Sequence, residues 1–345
     1  MRTDTFDYDL PVELIAQEPL PDRAASRLMV VDRATGTISH RSFRDLPRFL
    51  ERGDCLVVNS SKVFPGRLAA RKRESGGAVE LLLIERLAPG TWRALSKGAK
   101  LRDGTGLTLA DGLLAAEVVG EPSHGKVVVR FSFATGGGPG TGDIDGAVLR
   151  CGEVPLPPYI HGVLPDPERY QTVYAEREIS AAAPTAGLHF TAEILDEVRA
   201  RGVELAALEL AVGLDTFLPV REEDVEEHAI HTEWYRVSEE CARAVNACEG
   251  RVVAVGTTVV RALETSAAAA APRVTPASGR TSLFITPGYE FGAVDALLTN
   301  FHFPRSTLLM LVCAFGGTDL VLEAYREAAR ERYRFYSFGD AMLLS

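Results

Sequence analysis

The pattern of apolar and polar residues changes twice along this chain, near residues 63 and 151. In the two outer parts, short apolar runs alternate with amphipathic segments. The strands predicted there are 28–32, 54–59, 203–210, 251–255 and 283–285, and the predicted helices are 11–16, 192–200, 259–265 and 318–332. This alternation is typical of an α/β fold, in which helices are layered on a mixed, partly parallel sheet.

The middle part favours short β-strands separated by glycine-rich turns. The predicted strands are 78–84, 91–95, 107–109, 114–119 and 126–131. Strands this short and evenly spaced predict a small antiparallel β-barrel. The expected layout is a discontinuous α/β domain, 1–62 and 152–345, that holds the active site and is interrupted by a barrel domain, 63–151. Residues 266–280 are predicted to be a flexible surface insertion.

Charge and cysteine usage narrow the class of protein. The net charge of −10 over 345 residues argues against nucleic-acid affinity along the whole chain. A local basic stretch nevertheless contains Lys62, Arg67, Arg71, Lys72 and Arg73. It is open to two interpretations, a solvated strand pair or a contact with RNA phosphates. The five cysteines are scattered without a C-x-x-C pair, which fits reduced thiols of the cytoplasm.

Neither a targeting segment nor a membrane segment is predicted. The N-terminus has no apolar signal region, and the longest apolar run, 308–315, is far shorter than the ~20 residues that span a bilayer. Cytoplasmic location without membrane association is therefore expected. The sequence also has no Walker A motif and no G-x-S-x-G motif, and its Gly104-x-Gly106 pair leads into a strand, so common nucleotide-binding and hydrolase classes are disfavoured.

Residues 182–191 form the first candidate site. Pro184, Thr185, Ala186 and Gly187 are small or rigid, which would let a ligand approach the backbone closely, and His189 follows them. Thr191 is predicted to cap the helix that begins after it. The first turn of that helix offers free backbone N–H donors. The alternative is a tight surface loop between two elements.

A second candidate site lies where strand 251–255 meets a helix. Gly256, Thr257 and Thr258 form this junction, and Arg261 follows one turn later. In open α/β sheets ligands bind at such strand ends, and a helix start suits a carboxylate or a phosphate. An ordinary capped helix is the alternative.

Polar residues also cluster just before the apolar run 308–315. They are Thr299, Asn300, His302, Arg305 and Ser306. Polar groups at the mouth of a buried element are a common site geometry. A helix cap made by Ser306 or Thr307 is the alternative interpretation.

Three further residues could carry chemistry. His228 and His231 have the H-x-x-H spacing of metal sites, but zinc needs a third converging ligand, so hydrogen bonds or a polar substrate contact are favoured and no metal is predicted. Asp215 follows the strand 203–210, where it would serve as an acid–base group or a ribose ligand. Formation of a turn is the alternative for Asp215.

Taken in order, these segments match a known pattern. The matching segments are 6–11, 56–59 with Lys62 and Arg67, 152–160, 169–175, 182–191, 213–219, His228 and His231, 256–265, 287–289, Asp295, 299–311, 332–335 and 339–342. The chain thereby resembles, nearly end to end, the S-adenosylmethionine:tRNA ribosyltransferase-isomerase family of queuosine biosynthesis. The resemblance implies an α/β domain with an inserted β-barrel, in line with the layout above.

The resemblance also implies an activity. The ribosyl part of S-adenosylmethionine is transferred to the aminomethyl group of a deazaguanine at the tRNA wobble position and isomerised, giving epoxyqueuosine-tRNA with release of adenine and methionine. S-adenosylmethionine is then a consumed substrate, no cofactor is needed, the tRNA anticodon loop is the partner, and a monomer is expected. A paralogue acting on a small-molecule amine and a non-catalytic RNA-binding relative remain alternatives.

Residue roles follow from this implied reaction. The sulfonium acidifies the C5′ proton of the ribose, so a base is required, with His189 the first candidate and Asp215 the second. The start of the helix at Gly256 would hold the methionine carboxylate. Asn59 joins the substrate-binding set, and Lys62 and Arg67 would meet tRNA phosphates.

Overall fold

The structure is a computed structural model that describes residues 1–123, 125–134, 143–213, 219–267 and 273–345. The chain divides into two compact units. One comprises Met1–Lys62, Pro157–Arg177 and Ala183–Ser345, and the other comprises Val63–Leu156 and Glu178–Ala182. Asp215 and part of the predicted insertion 266–280 lie outside the described residues.

The first unit is built on a nine-stranded sheet. Its strands are β1 (Arg27–Val31), β2 (Ile38–Ser42), β3 (Cys55–Asn59), β12 (Glu204–Leu210), β13 (Glu233–Val237), β14 (Val252–Val255), β15 (Ala277–Thr281), β16 (Ala296–Asn300) and β17 (Ala341–Leu344). They are arranged in the order β15-β13-β12-β3-β14-β16-β17-β1-β2. A separate two-stranded sheet consists of β4 (Ser61–Val63) and β11 (Arg177–Ser180).

The centre of the large sheet is parallel. Strand β3 pairs in parallel with both β12 and β14, and β14 pairs in parallel with β16. Strands β3 and β14 are buried along their whole length, as strands covered on both faces must be. Because these strands run the same way, their carboxyl ends meet at one edge, which receives Asn59, Gly256 and Asn300.

Helices of the first unit cover the sheet. They are α2 (Ala192–Ala200), α3 (Glu239–Asn246), α4 (Thr257–Ser266), α5 (Thr307–Gly316) and α6 (Thr318–Arg330). A core of alternating strand residues, such as Leu56, Val58, Val253 and Val255, packs with the buried side of α2. Helices α3 and α4 contact β12 and β3.

The predicted helix caps agree with the structure. The Thr191 side chain accepts a hydrogen bond from the Ile194 backbone N–H and so starts α2. Ser306 accepts in the same way from the Leu309 N–H and starts α5. Helix α4 has no side-chain cap, because its N-cap residue is Gly256 at φ 91°, a conformation that favours glycine.

The second unit is a closed antiparallel barrel with the order β10-β7-β6-β5-β8-β9. Its elements are β5 (Arg67–Lys72), β6 (Ala78–Ala88), β7 (Thr91–Gly98), β8 (Gly106–Leu109), β9 (Leu114–Val118), β10 (Lys126–Phe133) and helix α1 (Ile144–Arg150). The Asp145 carboxylate of α1 accepts from the Gly90 backbone and from the Trp92 indole, 2.7 Å away. The predicted fold class, an α/β fold with an inserted antiparallel barrel, is confirmed.

Two predicted elements are wrong. Residues 283–285 are not a strand, although Ile285 is buried; instead the Leu283 carbonyl accepts from Arg261. The strand in this region is β15, which lies inside the predicted insertion and pairs with β13. The predicted helix 11–16 is only a short 3₁₀ turn, Val12–Leu14.

The described residues contain no single helix that could span a membrane. Helices α5 and α6 taken together meet the length and composition of a span but are bent by 116°. Most of α5 is buried within the first unit.

Candidate functional site

A cavity opens at the carboxyl edge of the parallel strands, and we call it the strand-end cavity. It encloses about 580 Å³ of space that is partly open to solvent. Its lining residues are Tyr159, Ala183, Pro184, Thr185, Ala186, Val212, Gly256, Thr257, Thr258, Thr299, Asn300, Phe301, His302, Phe303, Ser306, Leu308, Tyr336 and Ser337. The mixture of apolar walls with a few polar groups is typical of small-molecule sites.

One wall is the N-terminus of α4. The backbone N–H groups of Thr257 and Thr258 lie in its first turn, and neither has an acceptor among the described residues. Their dipoles point positive charge toward the cavity, which suits a carboxylate. A side chain at position 256 would be strained by the positive φ, and its Cβ would lie 3.5 Å from that of Ala186.

A second wall of the cavity is aromatic, in contrast to the polar start of α4. The rings of Phe303 and Tyr336 stack with centroids 3.7 Å apart, and Tyr159 contacts both, at 5.2 and 5.0 Å. The Tyr159 hydroxyl is 2.5 Å from the Ser337 hydroxyl. Flat aromatic faces of this kind bind planar bases by stacking.

A hydrogen-bonded chain leads from the cavity to His189. The Thr185 hydroxyl donates to Asn300 Oδ1 at 3.1 Å. Asn300 Nδ2 lies 3.2 Å from His189 Nε2, and His189 Nδ1 lies 2.8 Å from Ser26 Oγ. Since the amide of Asn300 donates, Nε2 is the acceptor and Nδ1 carries the proton.

His189 is held neutral. Only 4 % of the residue is exposed, its ring lies against Phe43, and it does not line the strand-end cavity. Burial, followed by the positive charges of Arg23 and Arg334, lowers its pKa to about 3. With both nitrogens engaged, the imidazole fixes the orientation of Asn300 and, through it, of Thr185.

His302 is the imidazole that lines the cavity. Its Nε2 lies 2.8 Å from Thr299 Oγ1, and burial lowers its pKa to about 3. The Nδ1 atom has no partner among the described residues. When Nε2–H donates to Thr299, Nδ1 keeps its lone pair and can accept a proton.

Arg261 and His231 meet in a buried ion-pair cluster beside α4. Arg261 bonds to the Glu233 carboxylate, and His231 Nε2 is 3.4 Å from the same group. Burial alone would raise the pKa of Glu233, but the bond from His231 and the charge of Arg261 lower it to about 2. His228 pairs separately with Glu222 at 2.9 Å. None of these side chains lines the strand-end cavity.

Other predicted site residues also lie elsewhere. Asn59 is buried and links β3 to Leu210, with Thr258 at 3.4 Å. Arg305 is exposed and pairs with Asp7. Lys62 belongs to β4 and Arg67 to the barrel strand β5. Their assignment to substrates stays a prediction, as does that of Asp215.

A neighbouring residue of the protein requires glycine at position 187. A Cβ at this position would lie 2.0 Å from the Tyr174 hydroxyl oxygen, so no side chain fits there. Gly187 does not line the strand-end cavity, whereas Pro184, Thr185 and Ala186 do. Close approach of a ligand to these residues stays a prediction.

Sequence reasoning missed the aromatic wall. Tyr159 lies far along the chain from Tyr336 and Ser337, and nothing in their local pattern marks them as neighbours. Tyr336 has φ 70°, a left-handed conformation unusual for a bulky residue, and this places its ring over Phe303. A non-glycine residue in this conformation can be recognised only in a structure.

Comparison with known proteins decides the family. The model of the queuosine biosynthesis protein family matches residues 3–344. The chain belongs to this family. Full-length relatives named S-adenosylmethionine:tRNA ribosyltransferase-isomerase include those of Symbiobacterium thermophilum, 55 % identical, Moorella thermoacetica, 50 % identical, and Caldanaerobacter subterraneus, 49 % identical, each match covering 100 % of both chains.

A solved structure also matches. It is the crystal structure of S-adenosylmethionine tRNA ribosyltransferase from Thermotoga maritima, 42 % identical, with a TM-score of 0.55 over 99 % of this chain and 100 % of that one. The resemblance recognised from the sequence segments is confirmed.

Proposed function

We propose that this enzyme transfers and isomerises the ribosyl moiety of S-adenosylmethionine onto the aminomethyl-deazaguanine at the tRNA wobble position, releasing adenine and methionine and giving epoxyqueuosine-tRNA. The observation that carries this proposal is the full-length identity of 49–55 % to relatives that bear the ribosyltransferase-isomerase name. The strand-end cavity supplies groups that suit the donor substrate.

The donor fits the two contrasting walls. The open N–H groups at the start of α4 would bind the methionine carboxylate. The wall formed by Tyr159, Phe303 and Tyr336 would stack against a purine base, either the adenine of the donor or the deazaguanine of the acceptor. Thr185 and Asn300 provide polar contacts between these walls.

The reaction requires a base for the C5′ proton next to the sulfonium. His189, the first candidate from the sequence, is bonded at both nitrogens and reaches the cavity only through the Asn300 amide, which does not relay a proton. We therefore assign His189 to positioning and place proton removal at His302, whose imidazole lines the cavity and is unprotonated at neutral pH because burial lowers its pKa to about 3. An imidazole with so low a pKa is a weak base, so the acidity of the C5′ proton beside the sulfonium must supply most of the driving force. Asp215 stays the competing candidate.

The acceptor is the tRNA anticodon loop. On β5, Arg71 is exposed and Lys72 half-buried, as a contact with the phosphate backbone requires. Lys62 and Arg67 belong to the same proposed contact. Action without a cofactor, the monomeric state, the absence of membrane association and the cytoplasmic location stay predictions from the sequence.

Adenine release tests the proposed function. The protein is incubated with S-adenosylmethionine and an anticodon stem-loop RNA that carries the aminomethyl-deazaguanine, and adenine is quantified by chromatography. Release that depends on the modified base is expected, and unmodified RNA is the control. Release only with a small-molecule amine would favour the paralogue, and tight RNA binding with no release would favour the non-catalytic relative.

A further inference from the structure

A second, smaller cavity lies beside the strand-end cavity, and we call it the arginine cavity. It holds about 290 Å³ of space that includes open solvent, and its lining residues include Arg23, Arg169, His189, Ser26 and Gly339. Ser337 lines both cavities, so they are immediate neighbours. The proposed reaction assigns no role to the two arginines.

Both guanidinium groups are anchored by backbone carbonyls. Arg23 donates to the Leu188 oxygen at 3.1 Å and to the Glu168 oxygen at 2.8 Å. Arg169 donates to the Pro21 oxygen at 3.0 Å and to the Leu20 oxygen at 2.5 Å. These bonds hold the two side chains in place while leaving each guanidinium with further N–H donors.

The charges of the two arginines are not neutralised by ion pairs. Among the described residues, no carboxylate lies within 4.0 Å of either guanidinium group. Asp166 and Glu168 influence Arg23 only from a greater distance, and the Nε atom of Arg169 is buried without a partner. Two fixed cations beside one small cavity create a site for an anion.

The positive charges of this cluster lower the pKa values of neighbouring groups. The pKa of Arg23 is lowered by burial and then by the charge of Arg169, which lines the same cavity. The pKa of His189 is lowered by burial and then by Arg23 and Arg334. An anion in the cavity would relieve the repulsion between Arg23 and Arg169.

We propose that the arginine cavity binds a phosphodiester group of the RNA substrate, next to the nucleotide whose base enters the strand-end cavity. This inference rests on the proposed function. Arginine forks match phosphate geometry, and a nucleotide whose base is held in one cavity carries a phosphate on either side of it. The methionine carboxylate has its own donors at α4, on the other side of Asn300 and His189.

Direct RNA binding tests this site without depending on turnover. The anisotropy of a labelled anticodon stem-loop is measured at several salt concentrations with wild-type protein, Arg23→Gln, Arg169→Gln and the double variant. Each substitution is expected to raise the RNA Kd about tenfold and to reduce the slope of log Kd against log salt by about 0.7. The Kd for S-adenosylmethionine is expected to stay within about twofold.

Matched controls separate charge from folding. Arg199→Gln removes the same charge from an exposed position on α2, where Arg199 pairs with Asp196, and is expected to leave the RNA Kd unchanged. Arg23→Lys and Arg169→Lys keep the charge and are expected to give an intermediate Kd. Inorganic phosphate should compete with RNA for the wild type and compete more weakly in the Lys variants, and this comparison tests the site even if the Gln variants do not fold.

Three outcomes would overturn the inference. A weaker Kd for S-adenosylmethionine with unchanged RNA binding would assign the cavity to the methionine carboxylate. Equal RNA binding by all variants would show that no phosphate binds in the arginine cavity. An effect of Arg199→Gln equal to that of Arg23→Gln would show that RNA binding depends on the total charge of the protein and not on this site. If adenine release fails while RNA binding depends on Arg23 and Arg169, the proposed function fails and the phosphate site stands.

Discussion

At the scale of single residues, the buried His189 and the half-buried His302 have different roles in the site. His302 lines the cavity with an open Nδ1, whereas His189 is bonded at both nitrogens and orients Asn300. We expect His302→Gln to abolish exchange of the C5′ proton of S-adenosylmethionine with D₂O and to lower kcat by about 10²–10⁴. His189→Gln should slow adenine release yet retain slower exchange. Proton NMR of the recovered substrate measures the exchange.

Asp215 supplies the decisive comparison for this assignment. If Asp215→Asn abolishes the exchange and His302→Gln retains it, the base is the aspartate and the assignment to His302 is wrong. Asn246→Asp, which replaces an amide that bonds the Val274 backbone away from the cavity, is the control for a carboxyl–amide change and should retain full exchange.

How far the sequence predicts the site also depends on single residues. Gly256 could be predicted because it follows a strand end, Thr185 because it belongs to a segment of small and rigid residues, and Asn300 because it belongs to a polar cluster before an apolar run. The partnership of His189 with Ser26 could not, because the two are 163 residues apart and only the folded sheet brings them together. Gly187 shows the converse, since its local pattern suggested a ligand whereas packing against Tyr174 explains it.

At the scale of elements, the start of α4 is the part of the site most open to a direct test. Its first N–H groups have no acceptor among the described residues, so a substrate carboxylate gains both hydrogen bonds and the helix dipole. We expect decarboxylated S-adenosylmethionine to bind at least about tenfold more weakly than S-adenosylmethionine. Isothermal titration calorimetry with both ligands measures the difference.

Two variants show whether α4 itself causes this discrimination. Gly256→Ala strains the backbone at φ 91° and displaces the first turn, so the ratio of the two Kd values should shrink. Thr191→Ala removes the cap of α2, a helix start outside the cavity, and should leave the ratio unchanged. An unchanged ratio in Gly256→Ala, or a ratio near one in the wild type, would place the carboxylate elsewhere.

The unpredicted strand β15 and the wrongly predicted strand 283–285 have a common physical cause. Strand β15 is polar and half-exposed, and it is stabilised by backbone pairing with β13 at the sheet edge, which leaves no apolar pattern. Residues 283–285 are apolar but irregular, because the Leu283 carbonyl is needed by buried Arg261. In both segments the apolar or polar character predicts the degree of burial, whereas the hydrogen-bond partners of the backbone determine the secondary structure.

At the scale of the whole molecule, neutral burial of His189 links stability to pH. The pKa of His189 in the folded protein is about 3, below the ordinary value of 6.5. As the pH falls below 6.5, the unfolded chain therefore binds a proton at His189 while the folded protein does not. The stabilising contribution is therefore complete above pH 6.5 and is lost as the pH falls toward the folded value. Between pH 7 and 5 this amounts to about 2 kcal/mol.

Urea unfolding at pH 7 and pH 5 measures this contribution. The free energy of unfolding of the wild type should fall between the two pH values by about 2 kcal/mol more than that of His189→Gln, which cannot take up the proton. His161→Gln, which changes an exposed histidine, serves as the control and should show the wild-type loss. Glu233 stays ionised at both pH values, because its pKa is lowered to about 2, and so adds nothing to the difference. Equal losses in the wild type and His189→Gln would mean that His189 accepts a proton in the folded protein, and its role as a fixed neutral partner of Asn300 would then be wrong.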